Sequence, residues 1–415
     1  MIIINFLFLF PIIVSPFVEK NPKVIKRNSG YIIAYQREDE IYGADLNQDG
    51  NLLDTFKIAL PHWNGYLEKP AIGKLQNDTF FVAYQYTPYQ IPPPDGILES
   101  ILGREIIYSD SVIIGDEHYI FIGGYVADTS WAAMLPFIKG GNNDFLLMFW
   151  SYYYEPSHFF PMGEHRWIKS NASNWVPFAI PYHSVDFKDY FYTFNFGEGG
   201  VFRKYDEYGN LIQEKIYSNL PQPDPNNYES PYTYLEEENN YLCVAYYNQD
   251  PLLTLNFFHT LDTFLNTLNT EFYGIFPFKL LSITSYFYLF VADHNLIIGK
   301  RFTLNGNPAG GGIVYHENST VKSMDGIWDG SRFFIVYEKN NDIYGIFVDS
   351  LFSVNISEKT FKKDKKFNIL FLKSKNYFSN KISPVYDITG KRIKYKLKFS
   401  GTYIVPRKNK IIIIK

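Results

Sequence analysis

Gly30-Tyr-Ile-Ile-Ala-Tyr35-Gln-Arg-Glu-Asp-Glu-Ile41-Tyr42-Gly43-Ala-Asp45 stands near the start of the chain. About 300 residues later comes Ser331-Arg-Phe-Phe-Ile-Val-Tyr337-Glu-Lys-Asn-Asn-Asp342-Ile343-Tyr344-Gly345-Ile-Phe-Val-Asp349. Each reads as an apolar strand ending in Tyr, a short charged turn, Ile-Tyr-Gly and a second strand. Self-similarity of this kind marks a repeat architecture. The hairpin after the first copy, Ala44-Asp45-Leu-Asn-Gln-Asp49-Gly50-Asn, also recurs, at Lys204-Tyr-Asp206-Glu-Tyr-Gly209-Asn and at Arg301-Phe-Thr-Leu-Asn305-Gly306-Asn. In each, a polar residue and Gly sit between β-rich flanks, the signal of a tight turn with positive φ.

Between these copies the chain reads as short apolar strands with no helical period. Phe80–Tyr84, Tyr119–Ile122, Phe145–Trp150, Tyr190–Phe194, Tyr241–Tyr246, Tyr286–Val291 and Phe333–Tyr337 are the expected inner strands. Their starts recur at roughly the 40 to 50 residues of a four-stranded propeller blade. The expected fold is all-β: a single β-propeller of seven blades, six or eight being alternatives, followed by a small C-terminal Ig-like β-sandwich. A plain sandwich is the competing architecture. Having the clearest repeats at both ends fits a closed ring in which first and last repeats pair, leaving no open sheet edge.

Composition divides the chain. From Lys359 onward, seventeen Lys and Arg face only Asp364 and Asp387, leaving 22 basic and 41 acidic residues before that point. Such asymmetry indicates separate modules. The tail's basic residues alternate with apolar ones, as on a solvated strand face, so nucleic acid is not expected as a partner. Met1–Val14 is an apolar run of signal-peptide length, interrupted by Pro11 and shorter than a usual spanning helix, so a removed export signal is expected, with a membrane anchor as the alternative. The expected division is an export signal at 1–18, the propeller at 19–350, a basic linker at 351–366 and the C-terminal sandwich at 367–415. Cys243, the single cysteine, excludes an internal disulfide and alternates with large residues as a buried strand thiol does.

The candidate binding residues lie in one crowded stretch. Trp150, Tyr152, Tyr154, His158, His165 and Trp167 are interleaved with Glu155, Glu164 and Arg166. Consecutive aromatics cannot all face one core from a strand, and flat rings beside carboxylates suit sugar rings or peptide side chains. Asp45, Asn47 and Asp49 carry the first half of a calcium loop, but Phe56 occupies the position that requires a bidentate Glu, so an ordinary hairpin is expected. No nucleophile, phosphate-loop or zinc-helix motif occurs. Gly310–Gly312 reads as a turn before a strand. Neither metal nor cofactor is expected. The reading is of a monomeric binding protein rather than an enzyme, with a glycoside hydrolase using a carboxylate pair as the alternative and a structural surface component as a third reading.

Three resemblances add to this. The Tyr35…Ile41-Tyr42-Gly43…Asp49-Gly50 unit resembles the repeat of bacterial extracellular propeller proteins, which implies that fold and export. Ser323-Met-Asp325-Gly326-Ile-Trp328 resembles the Asp-box of sialidases, a structural hairpin. Val385-Tyr386-Asp387-Ile-Thr-Gly390-Lys-Arg-Ile393 with Ser400-Gly401-Thr-Tyr403-Ile-Val405 is similar to the C-terminal sorting domain of type IX secretion substrates. That likeness implies an Ig-like domain recognised by outer-membrane export machinery, with Tyr386, Asp387, Gly390, Gly401 and Tyr403 as its sorting motif. The implied destination is the cell surface or medium, via the periplasm, with a polysaccharide or surface protein as partner.

Overall fold

Apolar residues at successive positions, not alternate ones, are what a strand needs when another sheet covers each of its faces. Gly30–Arg37 is such a strand. Ile33 and Tyr35 pack with Phe334 and Val336, while Ile32 and Ala34 pack with Phe80 and Val82. The computed structural model describes residues 10–13, 15–75, 78–89, 97–108, 111–126, 129–140, 144–155, 158–169, 175–179, 184–187, 191–195, 201–206, 210–217, 234–239, 241–247, 253–259, 267–273, 278–293, 295–316, 320–352, 368–372, 385–387, 392–393, 401–405 and 410–414. Contacts divide the chain into Met1–Asn355 and Ile356–Lys415.

Among the described residues the first unit is entirely strand and turn: five four-stranded sheets and one of eight strands. The eight-stranded sheet is two groups of four, Gly65 to Val126 and Thr129 to Ala179, joined only at Thr129–Trp131 against Gly124–Val126. Seven four-stranded groups result, numbered one to seven by their first strands. Those strands are Glu19–Arg27, Gly65–Lys74, Thr129–Gly140, Ser184–Phe187, Tyr234–Glu238, Phe278–Ile283 and Met324–Trp328. Each touches the next in that order, and the seventh touches the first. A cycle of inner strands, each starting an antiparallel meander that runs outward, is a β-propeller.

The apolar runs expected as inner strands occupy other positions. Phe80–Tyr84, Phe145–Trp150, Tyr241–Tyr246, Tyr286–Val291 and Phe333–Tyr337 lie in second strands, and Tyr119–Ile122 lies in a fourth. The reason is physical. A second strand has hydrogen-bonded neighbours on both edges and packed sheets on both faces, so it is the most apolar of the four. The inner strand borders the axis and keeps polar residues, as Glu19-Lys-Asn-Pro-Lys-Val-Ile-Lys-Arg27 does. The repeated Gly belongs to third strands. A Cβ on Gly43 would meet the Phe56 ring at 2.3 Å, and one on Gly345 would meet Ile12 Cδ1 at 2.4 Å.

Closure also differs in detail from pairing of first and last repeats. The seventh group takes its fourth strand from the N-terminus: Phe10–Ile13 pairs antiparallel with Asp342–Val348. Ile12 and Ile13 are buried among Tyr31, Ile33, Phe334 and Phe347. The first and seventh groups then meet side by side. Glu19 N donates to Asn341 O at 2.9 Å, Tyr31 Oη to Asp329 Oδ2 at 2.6 Å and Arg332 Nη2 to Gln48 O at 2.7 Å.

The second unit contributes five described strands in a single sheet, with Asn368–Leu372 parallel to Lys410–Ile414. Tyr386 pairs with Ile404 and Asp387 with Tyr403, which places four of the sorting-motif positions in neighbouring strands, Gly401 facing Ile414. Gly390 lies outside the described residues, and among the described residues this unit shows one sheet and no second layer.

Candidate functional site

Propeller function is usually carried by the connections between sheets, because the strands are occupied in packing. The connection from the first group to the second, residues 60–64, is fixed by backbone where it enters the second group. Gly65 N donates to Trp63 O at 2.8 Å, Tyr89 N to Asn64 O at 3.2 Å and Leu67 N to Asp39 O at 2.9 Å. They set Tyr66 and Tyr89 beside Asp39, in the turn between Gly30–Arg37 and Glu40–Asn47, while His62 and Trp63 pack toward Glu117, Tyr86 and Tyr119.

Two aromatic patches result. Tyr66 and Tyr89 have ring centroids 5.7 Å apart, and Tyr89 is 53% exposed. Its hydroxyl hydrogen-bonds Asp39 Oδ2, which with slight burial pushes the phenol up to about 12. Trp63 lies edge-on to buried Tyr86 at 5.0 Å and 5.9 Å from Tyr119, which is 50% exposed. Tyr89 and Tyr119 are therefore half exposed while each packs against a neighbouring ring.

Carboxylates support both patches. Glu68 Oε1 accepts from Thr87 Oγ1 at 2.8 Å and from Gln85 Nε2 at 3.2 Å. Glu117 accepts the Tyr84 hydroxyl at 2.5 Å, and its other oxygen lies 2.5 Å from His62 Nε2. Burial, then the Glu117 charge, raises the Tyr84 phenol well above its ordinary range. Tyr84 is wholly buried, so the pair tethers the connection and does not present a nucleophile. The lone Cys243 is likewise buried, and burial pushes its thiol well up.

The six residues singled out in the sequence take defined backbone positions. Asp144–Glu155 and His158–Lys169 form a hairpin with Trp150 opposite Gly163, Tyr152 opposite Pro161, Tyr154 opposite Phe159, Met148 opposite His165 and Leu146 opposite Trp167. Trp150, Tyr152, Tyr154, His165 and Trp167 thus share one strand parity, and His158, paired with Glu155, takes the other. Their side chains lie outside the described residues. Trp63, Tyr66, Tyr89 and Tyr119 carried no repeat signal of their own. The one available clue was the isolated Pro61-His-Trp63 between two strands.

The half-calcium loop is a hairpin. Asn47 Oδ1 accepts from Asp49 N and Asn51 N, while Asp45 pairs with Arg27 at 2.7 Å. Thr303–Asn307 and Asp206–Asn210 repeat the same closing bond, the first residue's N–H donating to the fifth residue's carbonyl. No group of metal-ligating side chains occurs among the described residues. The Asp-box-like segment is an inner strand rather than a hairpin, and the turn follows it at Asp329–Arg332. Gly310–Gly312 lies within the strand Pro308–His316.

No protein-family model and no curated protein matches the chain. Among solved structures, Trypanosoma rangeli sialidase bound to the inhibitor DANA aligns with TM-score 0.48 and 7% identity, over 80% of this chain and 55% of its own. The chain thus spans just over half the sialidase's length. The Dos1 propeller aligns with TM-score 0.44 and 12% identity, over 76% and 75% of the two chains. BamB from Moraxella catarrhalis gives 0.41 and 7%, over 82% and 97%. The propeller assignment rests on this chain's own sheets and its cycle of inner strands.

Proposed function

We propose that this protein is a non-enzymatic propeller that binds a polysaccharide through the aromatic surface over its first and second groups. The observation that carries this reading is the set of Trp63, Tyr66, Tyr89 and Tyr119, held from beneath and partly open to solvent, with Asp39 hydrogen-bonded at its edge. Aromatic faces stack on the apolar faces of sugar rings, and a carboxylate accepts from their hydroxyls. The hairpin bearing Trp150, Tyr152, Tyr154, His165 and Trp167 is proposed as a second contact region.

A glycan array with the full chain is the test. Tyr89→Ala and Trp63→Ala should each weaken the best ligand by about 1 to 3 kcal/mol with little change in Tm for Tyr89→Ala. Equal binding by both variants sinks the reading.

We further propose export to the cell surface via the periplasm, with residues 367–415 as the address. Their strand pattern and the charge step at the linker support this. Deleting 367–415 should leave a folded, ligand-binding protein in the periplasm; arrival of the truncated chain at the surface would refute it. The expected signal at 1–18 includes Phe10–Ile13. Cleavage after it would leave the edge of Asp342–Val348 unpaired, whereas retention keeps the seventh group four-stranded.

A further inference from the structure

The two aromatic patches differ in how their carboxylates are balanced. Beside Trp63 and Tyr119, Glu117 already has His62 Nε2 at 2.5 Å and Arg104 Nε at 3.6 Å. Around Tyr66 and Tyr89 the carboxylates outnumber the cations. Tyr66 pairs with Thr87 and Glu68 with Gln85, so these four side chains share one face of the second group. Tyr86 pairs with Ser100 of Ile97–Tyr108, so Glu99 takes the register position beside Thr87. Asp39 completes the set from the first group, through its hydrogen bond with the Tyr89 hydroxyl.

The contacts of Glu68 all fall on one oxygen. Its Oε1 accepts from Thr87 Oγ1 at 2.8 Å and from Gln85 Nε2 at 3.2 Å, and Lys69 Nζ stands 3.9 Å from the same atom. Oε2 is uncommitted among the described residues. At 3.9 Å the Lys69 ammonium is beyond hydrogen-bonding distance, and its side chain is 40% exposed. Three carboxylates against one loosely held ammonium leave the patch net negative. Burial raises the Tyr66 phenol above its ordinary value, and the Glu68, Glu99 and Asp39 charges push the same way.

We propose that the Tyr66–Tyr89 patch selects a polysaccharide bearing protonated amino groups, such as a glucosamine polymer, over neutral or acidic ones. An ammonium is attracted by the face of an aromatic ring and by each carboxylate that lacks a close partner. An acetylated amine carries no charge to be attracted, and a uronate meets like charge. The inference rests on the polysaccharide reading and narrows it.

The test is calorimetric titration of the full chain with hexamers of glucosamine, N-acetylglucosamine and galacturonate at fixed ionic strength. The working pH is about 5.5, where amines are protonated and ordinary carboxyls ionised. The glucosamine hexamer should bind about tenfold more tightly than the acetylated one, and the galacturonate hexamer weakest. Asp39→Asn and Glu99→Gln should each reduce that preference about threefold, and Lys69→Gln should widen it. Asp54→Asn, exposed on the outer strand of the first group, should leave it intact. Equal or tighter binding of the acetylated hexamer overturns the charge selection and leaves polysaccharide binding standing. Binding of none of the three also overturns it, whereas the broader reading falls only if the glycan array is blank as well. A preference undiminished in both Asp39→Asn and Glu99→Gln places the amine elsewhere and refutes the site.

Discussion

Asp329 shows at residue scale how closure is held. Its Oδ1 accepts the N–H groups of Ser331 and Arg332, and its Oδ2 accepts the Tyr31 hydroxyl across the junction. Burial alone would raise its carboxyl, but these donors outweigh it and bring it down to about 2. A folded value below the ordinary aspartate value means stability that is present above about pH 4 and lost as pH falls toward 2. We expect about 1 to 2 kcal/mol from this group after solvent screening. Asp329→Asn should lower stability at pH 7 and flatten the acid limb of the unfolding profile between those values. An unchanged limb would show that the junction does not depend on this carboxylate. The Ile-Tyr-Gly repeat was legible because a missing Cβ leaves its mark in sequence, as at Gly43 under Phe56. Asp329 was not legible. Its role depends on Tyr31 in another group, about 300 residues away along the chain, and no local pattern records that.

At the scale of elements, the apolar runs announced strands correctly but misplaced them within each sheet. Apolarity reports burial on two faces, which belongs to second strands such as Phe333–Lys339, not to the axis. The N-terminal run was read as a leader, and its strand role was missed for the same reason: apolarity alone does not separate a leader from an edge-covering strand. Phe10–Ile13 buries Ile12 and Ile13 against Phe334 and Phe347. Ile12→Ser with Ile13→Ser should therefore cost about 3 kcal/mol or more in denaturant unfolding. Leu53→Ser, on an exposed outer strand, should change stability by less than about 0.5 kcal/mol. Equal effects of the two would mean that the N-terminal strand does not close the seventh group.

At the scale of the whole molecule, the inner-strand cycle joins the separate observations. The aromatic surface exists because one connection passes from the first group to the second, and the Tyr31–Asp329 and Val24–Asp325 hydrogen bonds exist because the seventh group returns to the first. Neither arises in a sandwich, where residues 30–60 and 325–350 need not meet. The proposed binding surface was only partly readable from sequence. Aromatic crowding between Trp150 and Trp167 was visible, whereas Trp63, Tyr66 and Tyr89 come together through turns that bring separate strands side by side. An experimentally determined structure of the full chain tests the ring most directly. It should show seven blades about one axis, with Phe10–Ile13 hydrogen-bonded along Asp342–Val348 and Tyr31 on Asp329. Two stacked sheets, a different number of blades, or a first group remote from the last would contradict it.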